Sequence, residues 1–116
     1  MKGKIKVFVE NIGLRSYTAY GYARDETGKE LLKIELKFEN SNDIYPAYKM
    51  LAKIINRLPL FGIKEIDVET NSKSMAAELS GQLNERQTLI RIVKDRLNKT
   101  GIILNQIIFT EQKRSA

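Results

Sequence analysis

Gly62-Ile63-Lys64-Glu65-Ile66-Asp67-Val68-Glu69-Thr70-Asn71-Ser72-Lys73 is the stretch whose reading decides the fold. Ile63, Ile66 and Val68 give it the apolar content of a buried strand, and Asn71-Ser72 supplies a polar break and a helix cap. A strand that runs directly into a helix is a unit of an open α/β sheet. In such sheets ligands bind beyond the carboxyl ends of the strands. Asn71 therefore stands where chemistry is expected, and an amide there allows less than a carboxylate would.

Upstream of this unit, Ile44, Ala47, Tyr48, Leu51, Ile55 and Leu58 recur at helical spacing. Pro46 falls in the first turn, where its missing N–H is harmless, and Pro59 is expected to end the helix. Downstream, Ser72 to about Leu83 reads as a short helix weakened by Gly81. Glu85 to Lys99 reads as a longer one, with Leu89, Ile92, Val93 and Leu97 on one stripe and Gly101 as its stop. Ile102 to Thr110 is a last apolar strand, followed by a polar tail from Glu111 to Ala116.

At the amino end, Lys4 to Glu10 alternates as a strand that Asn11-Ile12-Gly13 is expected to break. Tyr17–Arg24 and Glu30–Phe38 follow as an antiparallel hairpin around Asp25-Glu26-Thr27-Gly28-Lys29, with Gly28 supplying the positive φ. The order is β-β-β-α-β-α-α-β. Strands separated by helices pair in parallel across right-handed crossovers, and the hairpin adds an antiparallel edge. The expected fold is α/β, one mixed five-stranded sheet with helices, as a single domain over residues 1–116.

Composition excludes several chemistries. The 116 residues are 42% hydrophobic and 29% charged, ordinary for one globular domain. No apolar run approaches the roughly 20 residues that span a bilayer. Met1-Lys2-Gly3-Lys4 leads into a strand and not into a signal-peptide apolar core, so a cytoplasmic protein with no membrane partner is expected. The absence of Cys, His and Trp removes disulfides, thiolate nucleophiles, Cys/His zinc sites and any histidine triad. Carboxylates, hydroxyls, Lys, Arg and Tyr remain.

The net charge of +6 suits a polyanionic partner. Within the helix from Glu85 to Lys99, five basic residues (Arg86, Arg91, Lys94, Arg96, Lys99) stand against Glu85 and Asp95, a balance of +3 that either tracks phosphates or is a solvated face. Tyr17, Tyr20, Tyr22, Tyr45 and Tyr48 could stack bases, but their strand and helix spacing favours packing. Abundant Lys, Glu and Ile lean towards a thermophile, against which asparagine is not scarce.

Several strings, taken in order, resemble the ribonuclease H-like family, in particular its compact plant- and archaeal-type domains. Gly62-Ile63-Lys64-Glu65-Ile66-Asp67-Val68 followed by Asn71-Ser72-Lys73 looks like that family's strand ending in Asp-Ser-Lys or Asp-Ser-Gln. Glu78-Leu79-Ser80-Gly81 stands where the family often has Gln-Leu-x-Gly. Ala19-Tyr20-Gly21-Tyr22-Ala23 looks like its Gly-Tyr-Gly strand, and Ala47-Tyr48-Lys49-Met50-Leu51 like its Ala-Glu-Tyr-x-Ala-Leu helix. The likeness covers about residues 4 to 114.

The resemblance implies a fold used for hydrolysing the RNA strand of an RNA–DNA hybrid with two divalent metals held by four carboxylates. Two such ions need that much negative charge, and magnesium sheds its water reluctantly. This sequence meets the pattern poorly. Glu10 stands at the first position, Ala47 at the second and Asn71 at the third, and an alternative register of the helix puts Asp43 at the second. The fourth carboxylate belongs to a helix beyond the last strand, which the sequence to Ala116 does not reach. A substitute site of Glu10, Glu69 and Asp43 around Asn71 is the remaining catalytic reading, because Glu69 shares a strand face with Asn71 by two-residue alternation. Mg²⁺ or Mn²⁺ is expected only if such nuclease activity survives; otherwise no metal or cofactor is expected.

The leading expectation is thus a ribonuclease H-like protein with a degenerate active site, binding RNA, DNA or hybrid through a basic surface. The resemblance implies Asn11, Gly13, Arg15, Asn42, Ser72 and Lys73, in loops and helix starts around the carboxyl end of the sheet, as the expected contacts, with ordinary loop capping the equal alternative. Helix starts suit phosphates directly. The alternative expectation is a homodimeric or protein-interaction module, because a sheet face without its last helix leaves an uncovered apolar patch.

Overall fold

Alternation along the first strand sorts its side chains onto two faces, and the two faces have different fates. Ile5 and Val7 are buried in the main core, whereas Phe8, on the opposite side, packs with Tyr20 and Tyr22 in a separate small cluster. The computed structural model describes residues 1–81 and 87–111 of the chain. Among these it places β1 (Lys2–Gly13), β2 (Ser16–Arg24), β3 (Glu30–Phe38), α1 (Tyr45–Arg57), β4 (Glu65–Thr70), α2 (Lys73–Leu79), α3 (Gln87–Thr100) and β5 (Ile103–Phe109).

The strands form one mixed sheet in the order β3-β2-β1-β4-β5. The pairs β1–β2 and β2–β3 are antiparallel, and β1–β4 and β4–β5 are parallel. This is the expected sheet. The helices bury their apolar stripes on the Ile5 and Val7 face. Leu51, Ile54 and Ile55 of α1, Met75 of α2 and Val93 of α3 join Ile66 and Val68 of β4 in one cluster. Among the described residues no helix residue joins the Phe8 cluster on the other face, and no helix is long and apolar enough to cross a membrane.

Two local features set how α1 lies on the sheet. The Asn42 side-chain oxygen accepts from the backbone N–H groups of Ile44 (2.9 Å) and Tyr45 (2.8 Å), satisfying donors that the first turn leaves unpaired. Gly21 of β2 lies directly under the helix. A Cβ there would stand 2.5 Å from Ile54 Cδ1 and 2.6 Å from Met50 Sδ, so the close approach of α1 depends on the missing side chain.

The structure corrects two expected boundaries, at the end of β1 and the end of the helix after Ser72. Asn11-Ile12-Gly13 does not break the first strand. β1 runs through it to Gly13, absorbing the triplet as a register shift, with Asn11 opposite Tyr17 and Gly13 opposite Ser16. Pro59 does stand just past the end of α1, which stops at Arg57 with Leu58 as its cap. It sits in a 3-10 turn, Leu58–Phe61, directly after α1, where its missing N–H falls in the first turn. The helix after Ser72 stops at Leu79, shorter than expected. Leu83, its expected end, and Glu85 and Arg86 at the expected start of α3 lie outside the described residues.

Candidate functional site

Asn71 follows the last residue of β4, whose partner across the parallel ladder is Val7. Its side chain extends that ladder. The oxygen Oδ1 accepts from the Val9 N–H at 2.8 Å, and Nδ2 donates to the Val9 carbonyl at 3.0 Å. A carboxylate could accept the first bond but could not donate the second. Ser72, the next residue, is the cap of α2: its hydroxyl accepts from the Met75 N–H at 3.3 Å, and its own N–H reaches Thr70 Oγ1 at 3.0 Å.

Beside Asn71 lies a depression of about 420 Å³ walled by Val9, Asn11, Tyr17, Asp43, Asn71 and Lys73. It opens at the carboxyl end of β4, where the sequence places it. Asp43 reaches this depression. Ala47 does not: it is fully buried in the first turn of α1, facing the core. Glu10 is exposed and, by alternation, points to the Phe8 side of β1, opposite to Val9 and Asn11.

Glu69 lies elsewhere. Its partner on β1 is Lys6, and it lines a second depression of about 210 Å³ with Lys4, Lys6, Asp67 and Gln106. Glu10 is four residues further along β1, about 13 Å at the usual rise of a strand. The register therefore separates Glu10 from Glu69. Among the described residues no three acidic side chains are grouped so as to hold a metal ion. Asp67 is engaged by Lys2 at 2.9 Å, and the hydrogen bond and charge of that carboxylate raise the Lys2 pKa above its ordinary value.

The expected nucleic-acid contacts are partly gathered at the Asn71 depression. Asn11 and Lys73 are exposed on its wall. Ser72 lines it too, but is buried and committed to the α2 cap. Arg15 and Asn42 occupy adjoining loops tied together by the Ser41 N–H, which donates to the Arg15 carbonyl at 3.0 Å. Arg15 takes a left-handed backbone, φ 56°, at the tip of the β1–β2 hairpin. The Asn42 side-chain oxygen is spent on α1, as above.

Packing claims most of the tyrosines. Tyr20 and Tyr22 are buried beside Phe8, and Tyr48 is fully buried with its hydroxyl 2.5 Å from Glu78 Oε1. Tyr17 lines the Asn71 depression, and Tyr45 meets Phe38 edge-on, with ring centroids 5.9 Å apart. Sequence reasoning missed two features. The exposed apolar tip of the first hairpin, Ile12 and Leu14, is one, and the buried Tyr48–Glu78 pair is the other. The first could have been read from leucine standing between Gly13 and Arg15 in a turn. A buried glutamate paired across two helices leaves no local signal.

No profile of a known protein family matches the chain, and no curated protein matches it in sequence. Solved structures do match in shape. LC11-RNase H1 in complex with an RNA/DNA hybrid superposes with a TM-score of 0.82 at 14% identity, over 95% of this chain and 86% of that one. RNase H1 from the archaeon Halobacterium salinarum gives 0.75 at 12% identity, over 97% and 87%. The N-terminal RNase H domain of a Mycobacterium tuberculosis protein, solved as a fusion with maltose-binding protein, gives 0.81 at 13% identity, over 97% and 85%. At such identities the likeness speaks for the fold, and it agrees with the strand order and the mixed pairing: the chain has the ribonuclease H-like fold.

Proposed function

We propose that this chain is a non-catalytic ribonuclease H-fold protein that binds RNA, DNA or a hybrid of the two through a basic rim around the Asn71 depression. The observation that carries the reading is the engagement of Asn71. At the position where the resembling family holds a metal-binding carboxylate, this side chain is spent on both sides by the Val9 backbone. The net charge of +6, the exposed Lys73 on the depression wall, the exposed Arg15 at the tip of the β1–β2 hairpin and the hybrid held by a structural neighbour support nucleic acid as the partner.

A metal-dependent nuclease built on Glu10 and Glu69 is disfavoured by their separation along β1. Two clamped ions need carboxylates a few ångströms apart, not on the order of 13 Å. The test is binding of labelled hybrid, double-stranded RNA and single strands at two salt concentrations, with Mg²⁺ or Mn²⁺ added in parallel to look for cleavage. Binding without cleavage is the expected result. No binding to any of them at low salt overturns the proposal, and metal-dependent cleavage abolished by Glu10→Gln replaces it with the nuclease reading.

Self-association is a second reading, favoured by one specific feature: apolar side chains exposed along an edge strand of the sheet, Ile103, Ile108 and Phe109 of β5.

A further inference from the structure

The excess positive charge of this chain is not spread over its surface. Of its 20 basic and 14 acidic residues, α1 and α3 hold seven and one, which leaves thirteen of each for everything else. The whole of the +6 therefore sits on two helices, which pack against each other on one face of the sheet. In α1 the cations Lys49, Lys53 and Arg57 recur every fourth residue, and the helix carries no acid. Their stripe is about 12 Å long at the rise of an α-helix. In α3, Arg91, Lys94 and Lys99 are exposed and Arg96 is half-buried. Asp95 stands four residues from both Arg91 and Lys99, yet among the described residues none of these cations is in an ion pair. Helix stability does not account for the pattern. Like charges four residues apart repel along a helix, and only Arg57 and Lys99, in the last turns, gain from the helix dipole.

We infer that the outer face of α1 and α3 is a track for the phosphate backbone of double-stranded nucleic acid, read without regard to base sequence. It rests on the nucleic-acid reading and adds to it a second surface and a strandedness. The track starts from the Asn71 depression, because Asp43 and Ile44 at the head of α1 line that depression. A duplex presents one charge per about 1.7 Å of its axis, roughly seven over the length of the α1 stripe, so each cation there finds a phosphate. Single strands are held in large part by stacking their bases on aromatic rings. The one exposed aromatic residue of α1 and α3 is Tyr45, and its ring meets Phe38 edge-on. The apolar stripes of both helices are spent in the core, through Ile54 and Ile55 in α1 and Ile90 and Val93 in α3. Neither helix therefore has a face to lay in an anionic membrane.

Duplex binding over a range of salt tests this with the wild type and three double variants that lower the net charge equally. Lys49→Gln/Lys53→Gln and Arg91→Gln/Lys94→Gln alter the two helices. Lys33→Gln/Lys37→Gln alters exposed lysines of β3 on the Phe8 side of the sheet. Each helix double should flatten the slope of log affinity against log salt by up to about 1.8 and weaken binding at low salt about tenfold. The β3 double should do neither, and single strands should bind more weakly than duplex. A wild type that binds no duplex at low salt overturns both the inference and the nucleic-acid reading. Binding that responds to Lys73→Ala and ignores both helix doubles overturns the helix track alone. So does a β3 double as damaging as the helix ones, which would make net charge the cause wherever it lies. Single strands bound as tightly as duplex, or duplex displaced by phosphatidylserine vesicles or polyglutamate at matched charge, overturn the assigned occupant. Should a double variant fail to melt cooperatively, lysine acetylation of the wild type decides. Duplex should shield Lys49, Lys53 and Lys94 and leave Lys33 and Lys37 reactive, and equal or reversed shielding rejects the track.

Discussion

The Asn71 side chain and the Val9 backbone exchange two hydrogen bonds across the end of β4, at 2.8 and 3.0 Å. Both ends of the amide are used, one as acceptor and one as donor. Asn71→Asp keeps the size and loses the donor, leaving a carboxylate facing the Val9 carbonyl. The expected cost is about 1–3 kcal/mol, the range for a part-buried group that loses its partner. It should shrink as pH falls through the carboxyl range, because a protonated carboxyl regains a donor for Val9. Urea denaturation at neutral and acid pH measures it. Asn71→Asp should also create no Mg²⁺-dependent cleavage, since Glu10, Asp43 and Glu69 are not brought together. A stable variant that cleaves hybrid would show that the site lacks only this one acid.

Tyr48 and Glu78 join α1 to α2 inside the protein, hydroxyl to carboxylate at 2.5 Å, with both residues almost wholly buried. Tyr48→Phe removes the donor and nothing else of the packing. A hydrogen bond contributes about 0.5–1.5 kcal/mol net, and leaving a buried partner unsatisfied costs about 1–3 kcal/mol, so a loss on the order of 1–3 kcal/mol is expected. Glu78→Gln keeps an acceptor for the hydroxyl and should cost less. Chemical denaturation of both variants reads the ordering. A Tyr48→Phe protein as stable as the wild type would mean that the pair contributes no net stability.

Gly21 permits α1 to lie close on β2, and Gly21→Ala puts a methyl into Ile54 and Met50 at 2.5 to 2.6 Å. Both neighbours are flexible at their ends but fully buried, so there is little room for them to move into. The expected destabilisation is about 1–3 kcal/mol, the usual range for overpacking. Adding Ile54→Val, which removes the nearest methyl, should recover part of it. Thermal melts of the single and double variants show the coupling, and strictly additive losses would contradict the contact.

These residues also show how far the sequence was legible. The order of elements followed from periodicity and capping, with Ile63, Ile66 and Val68 read as a buried strand and Ser72 as a helix cap. The likeness to the ribonuclease H-like family pointed to Asn71 and to the position of the depression. What escaped the sequence was register. Two-residue alternation put Glu69 on the face of Asn71, but only the pairing of Glu69 with Lys6 shows how far it lies from Glu10. Alternation gives the face of a strand and not the position along its neighbour. The bulge at Asn11–Gly13 escaped for a related reason, because polar residues near a strand end mark a break or an irregularity equally well.

The β2–β3 turn gives a pH signature. Asp25 Oδ1 accepts from the Thr27 hydroxyl at 2.6 Å, the Thr27 N–H at 2.9 Å and the Lys29 N–H at 3.0 Å. The Thr27 hydroxyl first, with those backbone donors, holds the Asp25 pKa below its ordinary 3.8. A depressed carboxylate adds stability that is present above the unfolded pKa and is lost as pH falls through the lower folded one. Asp25→Asn keeps the shape and loses the charge. It should be less stable than the wild type at neutral pH, and the gap should close as pH drops well below 3.8. A gap that is constant with pH would remove the turn from the protein's acid response.

Salt dependence locates the nucleic-acid surface. Each phosphate neutralised by a cation adds about −0.9 to the slope of log affinity against log salt on duplex DNA, and about −0.7 on single strands. Lys73 is exposed on the wall of the Asn71 depression, and Arg15 is exposed at the tip of the β1–β2 hairpin. Lys73→Ala and Arg15→Ala should each lower affinity similarly across sequences and flatten the slope by up to about 1. Lys33 sits over the ring of Tyr22, 5.8 Å from its centroid, on the Phe8 side of the sheet. Lys33→Ala should leave the slope as it was. If the slope instead follows Lys33 and ignores Lys73 and Arg15, nucleic acid lies on the open face of the sheet and the depression beside Asn71 is not its site.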